Sequence, residues 1–263
     1  VSLFVFAIFH DALEQGIAGV NNRAKKKRED GEEGTGAAER NLGEGDTEEV
    51  GRKEPEEAPV DLSIYGITDR SINWQALQEA ENRDIYAWIV IPGTMIDYPV
   101  VQHPEEPNYY LNHNLDGSSG YPGCIYTQYL NSRDWSDRNT VLYGHNMRNG
   151  TMFAGLHDFM DADFFEENRY IHIYAEDGRI LVYEIFAAYE FSDAHLLMTY
   201  DFDTDAGYEQ YLDSIRENAD SGGHFWQEGD LTADDRIITL STCVGRRSSR
   251  RYLVQGVLVA DVL

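Results

Sequence analysis

The feature that most constrains this chain is a succession of short β-branched and aromatic runs, punctuated by turn residues, from Tyr86 to Val262. Tyr86–Ile91 meets Pro92-Gly93, and Met95–Val101 reads as the returning strand. Cys124–Tyr126 and Thr140–Tyr143 follow as strands. Tyr170–Tyr174 and Arg179–Phe191 flank Glu176-Asp177-Gly178, a hairpin signature. Arg236–Ser241 and Tyr252–Val262 close the series. Helical spacing is confined to the connections. It occurs at Trp74 and Leu77, with Ser71 or Asn73 as cap, and at Thr151–Met160, where Phe153, Leu156 and Met160 share a face. It recurs at Thr204–Asn218, with Tyr208, Tyr211, Leu212 and Ile215 on one side. This pattern predicts a mainly β domain, a barrel or sandwich with peripheral helices, rather than a βαβ sheet.

Composition sets the outer bounds. The chain has 263 residues, 42% hydrophobic and 12% aromatic, enough for a sizeable core. Its formal charge of −26 argues against nucleic acid as the main partner, because a duplex binder needs a basic footprint to displace counterions. Residues 21–60 hold 8 basic and 12 acidic side chains and almost no large apolar one, so they read as a disordered charged linker closed by Pro55 and Pro59. Residues 61–263 form the patterned domain, with 13 arginines, no lysine and 33 acidic side chains. Residues 1–20 begin with the apolar run VSLFVFAIF, which is too short to cross a bilayer. That run reads either as the remnant of a membrane anchor or as a short amphipathic segment, and the cationic stretch Lys25–Arg28 after it argues mildly against simple anchoring.

The two cysteines allow one disulfide at most and exclude a four-cysteine zinc site. Cys243 ends the apolar run Ile237-Ile238-Thr239-Leu240-Ser241-Thr242, and Arg246, Arg247, Arg250 and Arg251 follow within eight residues. Positive charge beside a thiol favours the nucleophilic thiolate, so Cys243 is the candidate nucleophile; a buried cysteine beside a solvated basic loop is the plain alternative. Cys124, in Gly123-Cys124-Ile125-Tyr126, has no cation close by and reads as a core residue. His145 follows Thr140-Val141-Leu142-Tyr143-Gly144 and precedes the turn-like Asn146–Gly150, which again displays a polar side chain at a strand end. A cysteine nucleophile needs a general acid for its leaving amine, and imidazole titrates in the right range. Spacing cannot bring residues 98 positions apart together. His103, His113, His157, His172, His195 and His224 lack such settings and read as surface or hydrogen-bonded core histidines. Asp201, Asp203 and Asp205 resemble the start of a calcium loop, but Ala206 stands at the sixth position and Leu212 at the twelfth, so a solvated helix start is the better reading.

Taken in order, Leu142-Tyr143-Gly144-His145-Asn146-Met147 and Leu240-Ser241-Thr242-Cys243 with Arg251 resemble the active-site signature of the sortases, cysteine transpeptidases of Gram-positive cell surfaces. Trp88–Gln102, Gly150-Thr151-Met152-Phe153 and the helical stretch near 204–218 point to class B. The resemblance spans roughly residues 72–263. It implies an eight-stranded β-barrel with peripheral helices, no cofactor and no metal. It also implies Cys243 as nucleophile, His145 as general acid/base and Arg251, opening the final strand, as the oxyanion partner; the neighbouring Arg250 competes for that role. Ser241, Thr242, Tyr143 and Leu111 are candidate substrate contacts. The implied partners are surface proteins bearing a C-terminal sorting motif and an amine acceptor, either a peptidoglycan precursor or a pilin lysine. The implied location is the extracellular face of a Gram-positive membrane, with membrane contact through the N-terminus. The linker at 21–60 is longer and more charged than the family leads one to expect. A hydrolytic cysteine peptidase using the same dyad and a non-catalytic surface-interaction module are the competing readings.

Overall fold

In the computed structural model, described residues are 62–67, 70–226, 231–245 and 247–263. The expectations for residues 1–20 and 21–60 lie outside them. The chain divides into two units, Val1–Asp61 with Asp69–Asn73, and Leu62–Thr68 with Trp74–Leu263; the fold below is that of the second.

Among the described residues nine strands form one sheet: β1 (Ile85–Val90), β2 (Asp97–Val101), β3 (Ile125–Thr127), β4 (Asn139–Tyr143), β5 (Tyr170–Ala175), β6 (Ile180–Ser192), β7 (His224–Phe225), β8 (Ile237–Val244) and β9 (Arg247–Val262). Their order is β5-β1-β2-β3-β4-β8-β9-β6-β7, and β5 also pairs with β6. Eight strands therefore close into a barrel, and the two-residue β7 hangs on the outer edge of β6. Closure leaves no open edge, so every stave finds backbone partners on both sides. Two of the contacts, β2–β3 and β4–β8, are parallel. The helix α1 (Trp74–Ala80) precedes β1, and α2 (Ala162–Glu167), α3 (Leu196–Thr199) and α4 (Asp205–Asp220) lie in the connections; α1 and α4 fall where helical spacing predicts them, while α2 and α3 were not predicted.

Two apolar clusters hold this arrangement. Leu142, Ile238, Leu240 and Val254 fill the barrel interior with residues of β1, β5 and β6. On the outer face, Val141, Ile237 and Leu253 pack against Tyr208, Tyr211, Leu212 and Ile215 of α4. Alternation along β4, β8 and β9 thus supplies both cores. Thr204 caps α4 by accepting from the Gly207 N–H at 3.2 Å. Phe153–Met160 is a 3-10 helix rather than an α-helix. Its period of three puts Phe153, Leu156 and Phe159 in the core and leaves Met160 exposed, which corrects the predicted Phe153–Leu156–Met160 face.

Beneath α4 lies a buried polar network. Gln255 Nε2 donates to Tyr211 Oη at 2.6 Å and to Thr239 Oγ1 at 2.8 Å, and Tyr189 Oη donates to Gln255 Oε1 at 2.8 Å. Thr239 Oγ1 in turn donates to Asn139 Oδ1 at 2.8 Å. These bonds pin α4 onto β8 and so set where its cover of the outer face stops. Tyr211→Phe removes an acceptor from two buried amides, those of Gln255 and Asn139. It is expected to cost about 1–3 kcal/mol, read as a lower midpoint in thermal or denaturant unfolding. An unchanged midpoint would show that the network carries no net stability.

Candidate active site

The outer row of β8 runs Ile237, Thr239, Ser241, Cys243. α4 covers its beginning and leaves its end uncovered: Ile237 and Thr239 are fully buried, Ser241 nearly so, and Cys243 is half-buried. A thiol is thereby displayed at the rim of a rigid sheet.

Two strand registers supply its neighbours. In the antiparallel β8–β9 pair, Cys243 stands opposite Arg251, so both side chains share one face. In the parallel β4–β8 pair, Tyr143 aligns with Ser241. Two residues beyond that pair lie His145 and Cys243. Hydrogen bonds carry the alignment past the end of β4: Gly144 N–H donates to Ser241 O at 3.2 Å, Thr242 Oγ1 to Gly144 O at 2.8 Å, and Asn146 Nδ2 to Cys243 O at 3.1 Å. Neighbouring strands run about 4.8 Å apart. His145, Cys243 and Arg251 thus stand on three neighbouring stretches of chain, the turn that follows β4, the end of β8 and the facing part of β9, in that order.

The strand phase also separates the two arginines. Arg250 lies on the opposite face and directs Nε and Nη2 at Glu190 Oε2, 3.2 and 3.1 Å away. Arg251 takes the thiol's face, where its Nη1 donates to the Arg250 carbonyl at 3.2 Å. The expectation that Arg251 opens the final strand is corrected: β9 starts at Arg247 and pairs with β8 beyond the thiol. The polar run Arg247–Arg250 reads as loop because nothing in it alternates. Arg246 and the side chain of Arg247 lie outside the described residues.

Of the candidate substrate contacts, Ser241 and Tyr143 lie on the thiol's side of their strands. Thr242 points the other way, buried, with its hydroxyl committed to Gly144 O. Leu111 ends a 3-10 helix (Tyr109–Leu111), and its main-chain oxygen lies 2.7 Å from His145 Nε2. The exposed Tyr121 ring sits 4.8 Å from the imidazole at an interplanar angle of 55°.

Several neighbouring groups were given no role by the residue pattern. Asn146 ties the histidine turn to the cysteine backbone, and its place directly after His145 was the available signal. Tyr126 stacks on Tyr143 with centroids 5.4 Å apart. Burial pushes the Tyr143 phenol up to about 12, against the opposing pull of the Arg251 guanidinium, and acts in the same direction on Tyr126. Both hydroxyls therefore remain neutral donors at physiological pH. Asn108 Oδ1 accepts from Tyr126 Oη at 3.2 Å and from Gln128 Nε2 at 2.9 Å, and Gln128 Oε1 meets His195 Nε2 at 2.6 Å. Asn108 and Gln128 sit in segments without periodicity, so only folding brings them to the Tyr126 hydroxyl and to His195.

The remaining histidines each face a main-chain group away from the thiol's strand rim. His172 faces Tyr65 O, His224 faces Met160 O, His113 faces Tyr109 O and His157 faces Ala154 O. His103 Nδ1 accepts from the Glu105 and Glu106 N–H groups. Among the described residues no group of three His, Cys, Asp or Glu side chains is placed to hold a metal ion. Asp201 accepts from Asp203 N–H and from Thr204 Oγ1, which makes it part of the α4 start.

Both cysteines are free thiols. Burial pushes the Cys124 thiol up to about 12. Near pH 7 it is almost entirely protonated and shielded, so a one-equivalent iodoacetamide pulse is expected to label Cys243 and spare Cys124, read by peptide mass mapping. Labelling of Cys124 at a comparable rate would contradict this placement.

A sortase-domain family model matches residues 89–259. The chain belongs to the sortase family. Among curated relatives, it is 33% identical to sortase B of Listeria monocytogenes over 182 residues, covering 68% of this chain and 71% of that protein. It is 32% identical to sortase B of Staphylococcus aureus, covering 63% and 65%. Among solved structures, a mutant form of Clostridium perfringens sortase B superposes with a TM-score of 0.62 at 34% identity, covering 71% of this chain and 86% of that one. A Staphylococcus aureus sortase B–substrate complex superposes with a TM-score of 0.62 at 29% identity, covering 71% and 84%. The chain is thus a class B-type sortase, a cysteine transpeptidase, and its closed eight-stranded barrel is the sortase fold. Among the described residues no helix is long and apolar enough to cross a membrane.

Proposed function

We propose that this sortase cleaves a C-terminal sorting motif at a threonine carbonyl and transfers the upstream protein to an amine of the cell wall. The observation that supports the reading is the pairing of Cys243 with Arg251 across β8 and β9, together with the Asn146 bond that ties the His145 turn to the Cys243 carbonyl. The Cys243 thiolate attacks the threonine carbonyl carbon. The developing oxyanion is stabilised by the Arg251 guanidinium, which stays charged and offers several donors. Collapse breaks the C–N bond, the leaving amine takes a proton from His145, and a thioester forms on Cys243. An incoming amine gives a proton to the neutral His145 as its nitrogen bonds to the thioester carbon, and the C–S bond breaks to release the Cys243 thiolate beside a protonated imidazole. Ser241 and Tyr143 border the path of the substrate. Two relatives support the choice of partners: one Staphylococcus aureus sortase B structure is a substrate complex, and another sortase B structure is a complex with triglycine. A wall-type glycine amine is the acceptor assigned here, and the extracellular face of a Gram-positive membrane is the site of action.

The test follows the products. A peptide carrying a sorting motif is incubated with the enzyme, with and without triglycine, and analysed by mass spectrometry. The expected result is an acyl adduct on Cys243 and a ligated product that displaces hydrolysis as triglycine is raised. Hydrolysis that no amine diverts would establish a peptidase instead. Transfer to a pilin-type lysine peptide but not to triglycine would assign pilus polymerisation.

A further inference from the structure

The loop between the Tyr109–Leu111 helix and β3 grips the His145 ring in a way the chemistry of the imidazole turns into a choice between its two nitrogens. Leu111 O lies 2.7 Å from Nε2. A carbonyl only accepts, so Nε2 carries a hydrogen whether the ring is neutral or protonated. The Tyr121 ring packs at 4.8 Å from the imidazole even though Tyr121 is 72% exposed. A tyrosine left that open to water gains little from burial, so its place is set by the ring it touches and by its loop.

That loop is braced from within. Gly120 N–H donates to Asn112 O at 2.7 Å, Asn114 N–H to Ser118 O at 2.9 Å, and Gly123 N–H to Asn114 Oδ1 at 3.1 Å. Gly123 is what lets the Leu111 carbonyl sit where it does. Its φ is +66°, and a Cβ there would lie 2.7 Å from Tyr110 O and 2.8 Å from Leu111 O. In many cysteine and serine enzymes a side-chain carboxylate or amide orients the histidine; here a main-chain carbonyl stands in that place.

We infer that Leu111 O and the Tyr121 ring hold His145 as the Nε2–H tautomer, so that Nδ1 is the nitrogen that exchanges protons with the leaving and incoming amines. The inference rests on the proposed role of His145. During acylation the imidazolium Nδ1–H proton passes to the amine nitrogen as the C–N bond breaks, with the bonding pair going to that nitrogen. The ring is left neutral with its hydrogen on Nε2, still bonded to Leu111 O. During deacylation Nδ1 takes a proton from the incoming amine as its nitrogen bonds to the thioester carbon and the sulfur leaves. Leu111 and Tyr121 are positioning residues in this scheme, because they act through the imidazole.

The tautomer is readable without turnover. In the full chain labelled with nitrogen-15 histidine, a long-range proton–nitrogen spectrum above the imidazole titration resolves the two nitrogens, and His145→Gln assigns the signals. The expected result is a hydrogen-free Nδ1 and a protonated Nε2. A protonated Nδ1, or shifts averaged between the two forms, would overturn the inference. A second arm uses Tyr121→Ala and Tyr121→Phe, which leave the backbone of the loop alone. Loss of the ring is expected to lower kcat on the order of tenfold with KM nearly unchanged, and phenylalanine to restore most of it. A loss expressed wholly in KM, or phenylalanine no better than alanine, would count against the clamp. If Cys243→Ala still forms product, the transpeptidase mechanism itself fails, whatever the tautomer spectrum shows.

Discussion

Cys243→Ala is expected to abolish thioester formation and to lower transpeptidation by about 10⁴- to 10⁶-fold, the scale seen when the nucleophile of a covalent hydrolase is removed. The fold should survive, because Cys243 is half-buried at the end of β8 and its backbone carbonyl still accepts from Asn146. Circular dichroism and the unfolding midpoint check that point. Mass spectrometry of the quenched reaction checks the chemistry. Cys124→Ala is the matched control: its thiol is buried with Sγ 3.4 Å from the His113 carbonyl, in the strand-leading segment before β3, and turnover should persist. Turnover by the Cys243 variant at about a tenth of the original rate, far above the loss expected for a missing nucleophile, would exclude this thiol from that role.

The second large effect concerns two adjacent arginines with opposite expectations. Arg251→Ala removes the cation that shares the thiol's face across the β8–β9 register. It should lower kcat by about 10²- to 10³-fold, the scale of losing one oxyanion donor. Arg251→Lys should recover only part of this, since a single ammonium does not reproduce the planar fork. Arg250→Ala removes a partly exposed ion pair with Glu190. That pair contributes little stability and stands on the other face, so activity should stay within about threefold. Single-turnover acylation of the three variants beside the parent enzyme measures the contrast directly. Equal losses in Arg250→Ala and Arg251→Ala would mean that the guanidinium acts through the general charge of the strand rather than through its position.

Much of the scaffold was legible because turns and β-branched runs are local signals. The hairpin across Glu176-Asp177-Gly178 and the α4 face of Tyr208, Tyr211, Leu212 and Ile215 emerge as predicted, since each depends on contacts within a few residues or on one repeating period. Phe153–Met160 was legible as helical but not in its phase, because α and 3-10 periods differ by little over a stretch this short. The early start of β9 was illegible: Arg247–Arg250 lacks alternation, and only pairing with β8 and β6 makes it strand.

For the site, residue types and their flanks were enough to single out Cys243 and His145 as polar groups delivered at the ends of apolar strands. Chemistry at that level is local: a thiol, an imidazole and a cluster of arginines each declare themselves in a short stretch. What the chain order does not contain is adjacency. The 98 positions between histidine and cysteine are bridged by a parallel pairing of β4 with β8, which no local pattern encodes because parallel partners are never joined by a tight turn. Strand phase, which places Arg251 beside the thiol and Arg250 against Glu190, exists only once β9 is hydrogen-bonded in register. The orientation of the imidazole was decided later still, by a main-chain carbonyl that every residue type possesses and that only folding could bring to within a hydrogen bond of Nε2.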